Sequence, residues 1–168
     1  MNYGKIKIND IANGTGVRVS LFVSGCRNNC QGCFNKEAQD FTYGEHFSDE
    51  QLEFLIKELQ SDNIEGLTIL GGEPLDSLNQ PTVFYIVDKI KNVLPNKNIW
   101  LYTGYEFPMI PLTEFTYPIL ENIDVLVDGP FIEEKKDPSL AFRGSSNQKI
   151  IDIKETLKQE IIVLKEIN

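Results

Sequence analysis

An α/β fold around a parallel sheet is what this chain predicts, on three observations. Short runs rich in β-branched and aromatic residues alternate with segments whose apolar residues recur at helical spacing. Alternation of that kind selects parallel strands joined by right-handed crossovers. Two of the runs lead straight into loops with chemical content, Cys26 to Cys33 and Gly71 to Pro74. In such folds ligands bind at the C-terminal ends of strands.

The elements follow in order. Tyr3 to Asn9 alternates weakly through Ile6 and Ile8 and predicts a short edge strand. Asn13-Gly14-Thr15-Gly16 is a turn-rich connection, whose two glycines would also suit close approach of backbone to a ligand. Val17 to Ser24 reads as a buried strand, ended by Gly25. The cysteine loop begins at once and runs on through Phe34-Asn35-Lys36. Ser48, with Gln51 three residues on, forms a capping-box signature for a helix whose apolar face is Leu52, Leu55, Ile56 and Leu59. That helix should end near Ser61-Asp62-Asn63, and Gly66 to Leu70 is a second buried strand. Pro81 to Val93 carries Val83, Ile86, Val87 and Ile90 at helical spacing, before Pro95-Asn96-Lys97-Asn98 breaks it.

Ile99 to Thr103 is a third strand, closed by Gly104-Tyr105. Leu112 to Asn122 is a poorer helix, interrupted by Pro118. Asp124 to Val127 is a fourth strand, ending in Asp128-Gly129-Pro130. From Phe131 the alternation breaks into a charged loop, Glu133 to Pro138, which reads as solvated surface, and a polar stretch, Arg143 to Gln148. Lys149 to Ile153 predicts a last strand, and Thr156 to Glu166 a terminal amphipathic helix with Leu157, Ile161, Ile162 and Leu164. The expected organisation is one domain over residues 1–168, with 154–168 as a C-terminal helical extension. No repeat or low-complexity segment interrupts it.

Composition narrows the function. Lys plus Arg is 16 against 25 for Asp plus Glu, a formal net charge of −9. That balance excludes a general nucleic-acid binder, although it leaves room for a local basic patch such as Lys135-Lys136. No apolar run approaches the length that crosses a bilayer, and Met1 to Lys5 lacks the apolar segment of a signal peptide. A reducing cytoplasm is the expected compartment.

All three cysteines lie in Cys26-Arg27-Asn28-Asn29-Cys30-Gln31-Gly32-Cys33, at C-x3-C-x2-C spacing. Thiols clustered this way suggest metal or redox chemistry. Four-coordinate zinc would need a fourth ligand, for which His46 or a carboxylate is available; a disulfide would close a very short loop and leave one thiol over. Three thiols packed as small apolar residues sit badly with so polar a loop. Thiolate ligation of a 4Fe-4S cluster fits the spacing best and leaves one iron without a protein ligand. Gly71-Gly72-Glu73-Pro74 adds backbone open to a ligand and a carboxylate suited to an ammonium, although the same residues also make a plain strand-to-helix turn.

These two loops resemble the leading marks of the radical S-adenosylmethionine superfamily. Within it the chain resembles the anaerobic ribonucleoside-triphosphate reductase activating proteins, a family of glycyl-radical activases. The carrying stretches are Gly14-Thr15-Gly16-Val17-Arg18, Leu21 to Cys26, Gly32 to Lys36, Tyr102 to Tyr105, Asp124 to Gly129 and Arg143 to Gln148. The resemblance implies a partial, incomplete parallel α/β barrel. It implies Cys26, Cys30 and Cys33 as the ligands of one 4Fe-4S cluster. S-adenosyl-L-methionine would then be held by Gly71, Gly72 and Glu73 at its amino group and by Gly32, Cys33 and Phe34 near its adenine. Many superfamily members carry an aromatic residue just before the third cysteine, where this chain has Gly32; Phe34 follows it instead, as in the reductase activases.

The implied reaction is reductive cleavage of S-adenosylmethionine to a 5′-deoxyadenosyl radical, which takes a hydrogen atom from a glycine near the C-terminus of the reductase. No side chain acts as a catalytic acid or base in it. The implied partners are that reductase and an electron donor such as a flavodoxin-like protein, with no nucleic acid and no membrane, in a homodimer or a heterotetramer with the reductase. Tyr105, Asp128 and Asn147 are rim positions suited either to docking or to plain turns. The alternative from another class is a non-catalytic iron–sulfur or zinc protein that binds and regulates a reductase.

Overall fold

The computed structural model describes residues 1–167. Its strands are β1 (Asn2–Asp10), β2 (Arg18–Val23), β3 (Glu45–His46), β4 (Gly66–Gly71), β5 (Asn98–Tyr102), β6 (Val125–Asp128) and β7 (Lys149–Asp152). Its helices are α1 (Asp49–Leu59), α2 (Gln80–Val93), α3 (Thr116–Asn122) and α4 (Ile153–Gln159). The strands form one open sheet in the order β3-β1-β2-β4-β5-β6-β7. The centre, β2-β4-β5-β6, is parallel, while β1, β3 and β7 join it antiparallel. The alternation of strands and helices therefore predicts the parallel centre correctly. What it does not predict is that β1 lies inside the two-residue edge strand β3, or that β7 turns antiparallel.

Strand residues alternate between two faces, and the core divides accordingly. Val19, Leu21, Leu67, Ile69, Ile99, Leu101 and Leu126 pack with Leu55, Leu59, Ile86, Ile90 and Ile119 of the helices. The other face carries a small apolar group, Trp100, Val125, Val127 and Ile150, beside a buried polar network. Arg18 is fully buried there. Its Nε donates to Thr68 Oγ1 at 2.6 Å, and its terminal nitrogens donate to the Thr15 and Leu67 carbonyls at 3.1 and 2.8 Å. The guanidinium lies 5.4 Å from the Trp100 ring, and burial lowers its pKa to about 10, so it stays charged. Thr68 in turn donates to the Asn13 carbonyl, so the loop at 13–16 closes over the N-terminal end of this face.

Helix boundaries follow capping chemistry. The Ser48 N–H donates to Gln51 Oε1 at 3.0 Å, as the capping box requires, and the Ser48 hydroxyl donates to the same oxygen at 2.6 Å. α3 begins later than the expected Leu112, because Thr113 Oγ1 accepts the N–H groups of Phe115 and Thr116 and fixes a turn first. Pro118 then falls in the first helical turn, where no backbone donor is needed.

The expected terminal helix to Glu166 is corrected at both ends. Asp152 caps Glu155 N, which starts α4 at Ile153. Glu160 takes a left-handed conformation (φ 56°), which stops the helix after Gln159, and residues 163–165 return along β7. Among the described residues no helix is long and apolar enough to cross a membrane.

Candidate functional site

The sheet register builds the site. Val23 pairs with Gly71 and Tyr102 with Val127, so the four parallel strands end at one level. Their four exit loops start at Ser24, Gly72, Thr103 and Gly129 and meet in one cleft of about 170 Å³. Cys26, Cys30 and Cys33 all line it, with Asn28, Phe34, Gly71, Gly72, Thr103, Gly104, Phe131 and Gln148 among the other walls. All three thiols are free and half-buried. A larger hollow of about 730 Å³ lies between β1, β3 and α1, but Tyr3, Lys5, Glu45 and Phe54 there offer no thiol and no comparable chemistry.

Two glycines make the close approach of the loops possible. Gly71 has φ +111°, and a Cβ there would sit 2.7 Å from the Val23 carbonyl oxygen. Gly25 has φ +96°, and a Cβ would overlap the Phe41 ring. The backbone then ties cysteine loop to glycine loop: Gly72 N donates to Val23 O at 2.7 Å and Glu73 N to Gly25 O at 2.8 Å. Behind them a 3₁₀ turn at Glu37–Gln39 accepts the Gly25 and Cys26 N–H groups through Ala38 and Gln39.

Side chains add what the sequence reading missed. The buried Asn79 amide donates to the carbonyls of Ser24 (3.1 Å), Gly25 (3.3 Å) and Glu73 (2.9 Å). Arg27 binds both Asp76 oxygens at 2.7 and 2.8 Å and lies over the Phe41 ring. Asn79 and Asp76 stand in a turn with no motif, so sequence offers no signal for them. Phe34 meets Phe131 at 5.0 Å between ring centroids, and Lys136 sits 5.1 Å above the Phe34 ring. The charged loop at Glu133–Pro138 is exposed, as expected, and also borders the site through Lys136.

Of the six residues expected at a cofactor, Cys33, Phe34, Gly71 and Gly72 line the cleft; Gly32 and Glu73 do not. Gly32 backs onto Glu133. The Glu73 side chain is buried and already saturated. Oε1 accepts from Leu75 N (3.0 Å) and Thr103 Oγ1 (2.8 Å), and Oε2 from Asn28 Nδ2 (2.8 Å) and Gly104 N (2.7 Å). Burial pushes the carboxyl above the usual range, and these four donors offset only part of that. Among the rim positions, Asp128 is a buried brace that accepts Phe107 N and Lys149 N. Asn147 donates to the Pro130 carbonyl, and the Tyr105 carbonyl accepts Gly129 N. None of these three lines the cleft.

The donor set suits an iron–sulfur cluster. Three thiols face one cleft in a chain with no fourth cysteine, and a backbone N–H group already points at sulfur: Asn35 N lies 3.4 Å from Cys33 Sγ. Burial pushes the Cys26 thiol up to about 11, so a metal bound there displaces a proton. His46 lies exposed in β3 and is not among the cleft residues. Among the described residues, no group of three or more His, Cys, Asp or Glu is arranged to hold a single metal ion.

Comparison with known proteins agrees. The family model for a 4Fe-4S single cluster domain matches residues 12–151. An anaerobic ribonucleoside-triphosphate reductase-activating protein of Haemophilus influenzae is 43% identical over 150 residues, covering 88% of this chain and 96% of its own. The protein of that name from Escherichia coli K12 is 39% identical over 150 residues (88% and 96%), and that of phage T4 is 37% identical over 150 (89% and 93%). With its cysteine cleft inside the matched 4Fe-4S domain, this chain belongs to the anaerobic ribonucleoside-triphosphate reductase-activating proteins.

Proposed function

We propose that this chain activates an anaerobic ribonucleoside-triphosphate reductase by radical chemistry, as a radical S-adenosylmethionine enzyme that generates a glycyl radical. The observation that carries the reading is the meeting of three free thiols with the Gly71-Gly72 backbone in one cleft at the C-terminal end of a parallel sheet. Cys26, Cys30 and Cys33 would hold the cluster, and the missing fourth cysteine leaves an iron open for S-adenosylmethionine. Bound there, cluster and cofactor supply one-electron cleavage of a carbon–sulfur bond and hydrogen-atom abstraction from a glycine of the reductase.

The chain's own residues position and shield. With Glu73 saturated, the Gly72 carbonyl is an acceptor at the cleft for the cofactor's ammonium; no hydrogen bond among the described residues ends on it. Phe34 and Phe131 form an aromatic wall suited to the adenine and to the exclusion of water. Asn79 and the Arg27–Asp76 pair hold the two loops at fixed separation, so that bound groups meet in one geometry. In this reading the open sheet is the wall of an incomplete barrel, and the opening admits the reductase's glycine loop. The electron would come from a small flavodoxin-like donor.

The test is electron paramagnetic resonance of the reductase after anaerobic mixing with the reconstituted, reduced protein. A glycyl-radical doublet that requires both S-adenosylmethionine and Cys30 is expected. A doublet that persists with Cys30→Ala, or without S-adenosylmethionine, would sink the reading.

A further inference from the structure

Gly104 is a glycine that its own backbone does not require. Its φ lies outside the left-handed region, so no unusual conformation calls for glycine there. What excludes a side chain is Asn28. A Cβ on Gly104 would overlap the Asn28 amide nitrogen and lie 3.0 Å from its Cγ. The amide thus rests directly on bare backbone at the exit of β5. From that seat Asn28 Nδ2 donates to Glu73 Oε2 at 2.8 Å, and Gly104 N donates to the same oxygen at 2.7 Å. The cysteine loop, the glycine loop and the β5 exit loop therefore meet at one carboxylate oxygen. Asn28 also lines the cleft, as Cys26 and Cys30 do, whereas the neighbouring Arg27–Asp76 pair does not. The turn does not need Asn28, because Asn29 supplies its left-handed residue at φ 47°. Apart from Arg27 and Asn28, no hydrogen bond among the described residues joins residues 27–32 to the glycine loop.

We infer that Asn28 is a positioning residue for the reaction, and that Gly104 is bare in order to seat it. The amide spans the cleft and sets how far the loop that ligates the cluster stands from the loops that meet the cofactor. This rests on the reading of the cleft as the site of a cluster and S-adenosylmethionine. Asn28 acts through Glu73 and Gly104, whose loops carry Gly72 and Thr103 into the same cleft. With the amide lost, Glu73 Oε2 keeps Gly104 N, and Arg27 alone ties the first half of the cysteine loop to the glycine loop. Three thiolates can still hold a cluster. The open iron and the Gly72 carbonyl are then fixed less firmly relative to one another, and the cofactor must bridge both.

The affinity of the reconstituted, reduced protein for S-adenosylmethionine tests this. It is read, per bound cluster, from the change that the cofactor causes in the cluster's electron paramagnetic resonance. Asn28→Asp keeps the size of the side chain, removes the N–H donor and sets a second carboxylate against Glu73. Asn28→Ala removes the amide outright. Each should weaken cofactor binding by about tenfold or more, the worth of one hydrogen bond to a charged group. Gly104→Ala pushes the amide off its seat and should match Asn28→Ala, and the double variant should lose little more than either. Far-ultraviolet dichroism checks the fold, and three separate substitutions keep the test open if one variant does not fold. An Asn28→Asp protein that binds the cofactor like wild type overturns the inference, because the side chain then only fills space. Losses that multiply in the double variant overturn it too, because the two residues then act separately. A wild-type cluster that gives no response to S-adenosylmethionine overturns the underlying reading and this inference with it. A responsive wild type beside indifferent variants overturns the role of Asn28 alone.

Discussion

Glu73 shows how much a single side chain carries in this molecule. The motif marks it as a carboxylate at a strand end, and the structure spends it on Leu75, Thr103, Asn28 and Gly104. Glu73→Gln turns one acceptor oxygen into a donor facing donors, so it should destabilise by about 1–3 kcal/mol. Urea denaturation measures that cost, and cofactor cleavage should fall in parallel. Asp10 gives a second test at this scale. Burial disfavours its charge, but Lys7, Ser20, Asn13 and the Ala12 N–H more than offset that and hold the carboxyl well below the usual carboxylate range. A depressed folded pKa contributes stability at neutral pH that is lost as pH falls below about 4, the unfolded value. Urea midpoints taken from pH 7 downward should drop in that window, and Asp10→Asn should flatten part of the drop. The cysteines and glycines were legible from spacing because their chemistry is local. Asn79, Asp76 and Thr103 were not, since their partners lie across loops that only the folded sheet brings together.

At the scale of elements, the two loops act as one device. Asn79 bridges three carbonyls from both of them; in Asn79→Ala the Gly25 and Glu73 carbonyls keep the Glu73 and Asp76 N–H groups, but the Ser24 carbonyl loses its donor and the bridge between the loops is gone. The expected cost is about 1–3 kcal/mol, with lower iron content after reconstitution as the second readout. An iron content equal to wild type in a folded Asn79→Ala protein would contradict the coupling. The capping box of α1 was readable because Ser48 and Gln51 are three residues apart, and Ser48→Ala should lower stability by about 0.5–2 kcal/mol. α4 was misread for an equally physical reason. Leu157, Ile161, Ile162 and Leu164 keep an apolar spacing a helix would share, but backbone pairing to β7 wins over that periodicity. The loop at Glu133–Pro138 is solvated as its charges suggest, but its place beside the cleft is not legible, because the Lys136–Phe34 and Phe131–Phe34 contacts are long-range.

Across the whole molecule, the alternation of strands and helices fixes the four parallel strands, and their common register brings the exit loops to one end. That much follows from sequence, because each central strand is a continuous apolar run bounded by turn residues. The antiparallel flanks do not, because short strands of similar composition carry no label for their neighbours. The central claim is that this end of the sheet cleaves S-adenosylmethionine. Its most direct measurement is 5′-deoxyadenosine released by the protein after anaerobic reconstitution with iron and sulfide, reduction and addition of S-adenosylmethionine. The account predicts 5′-deoxyadenosine from the wild type and none from Cys30→Ala. A wild-type protein that binds its full cluster, accepts an electron and releases none would contradict it, and would leave the cleft an iron–sulfur site without this chemistry.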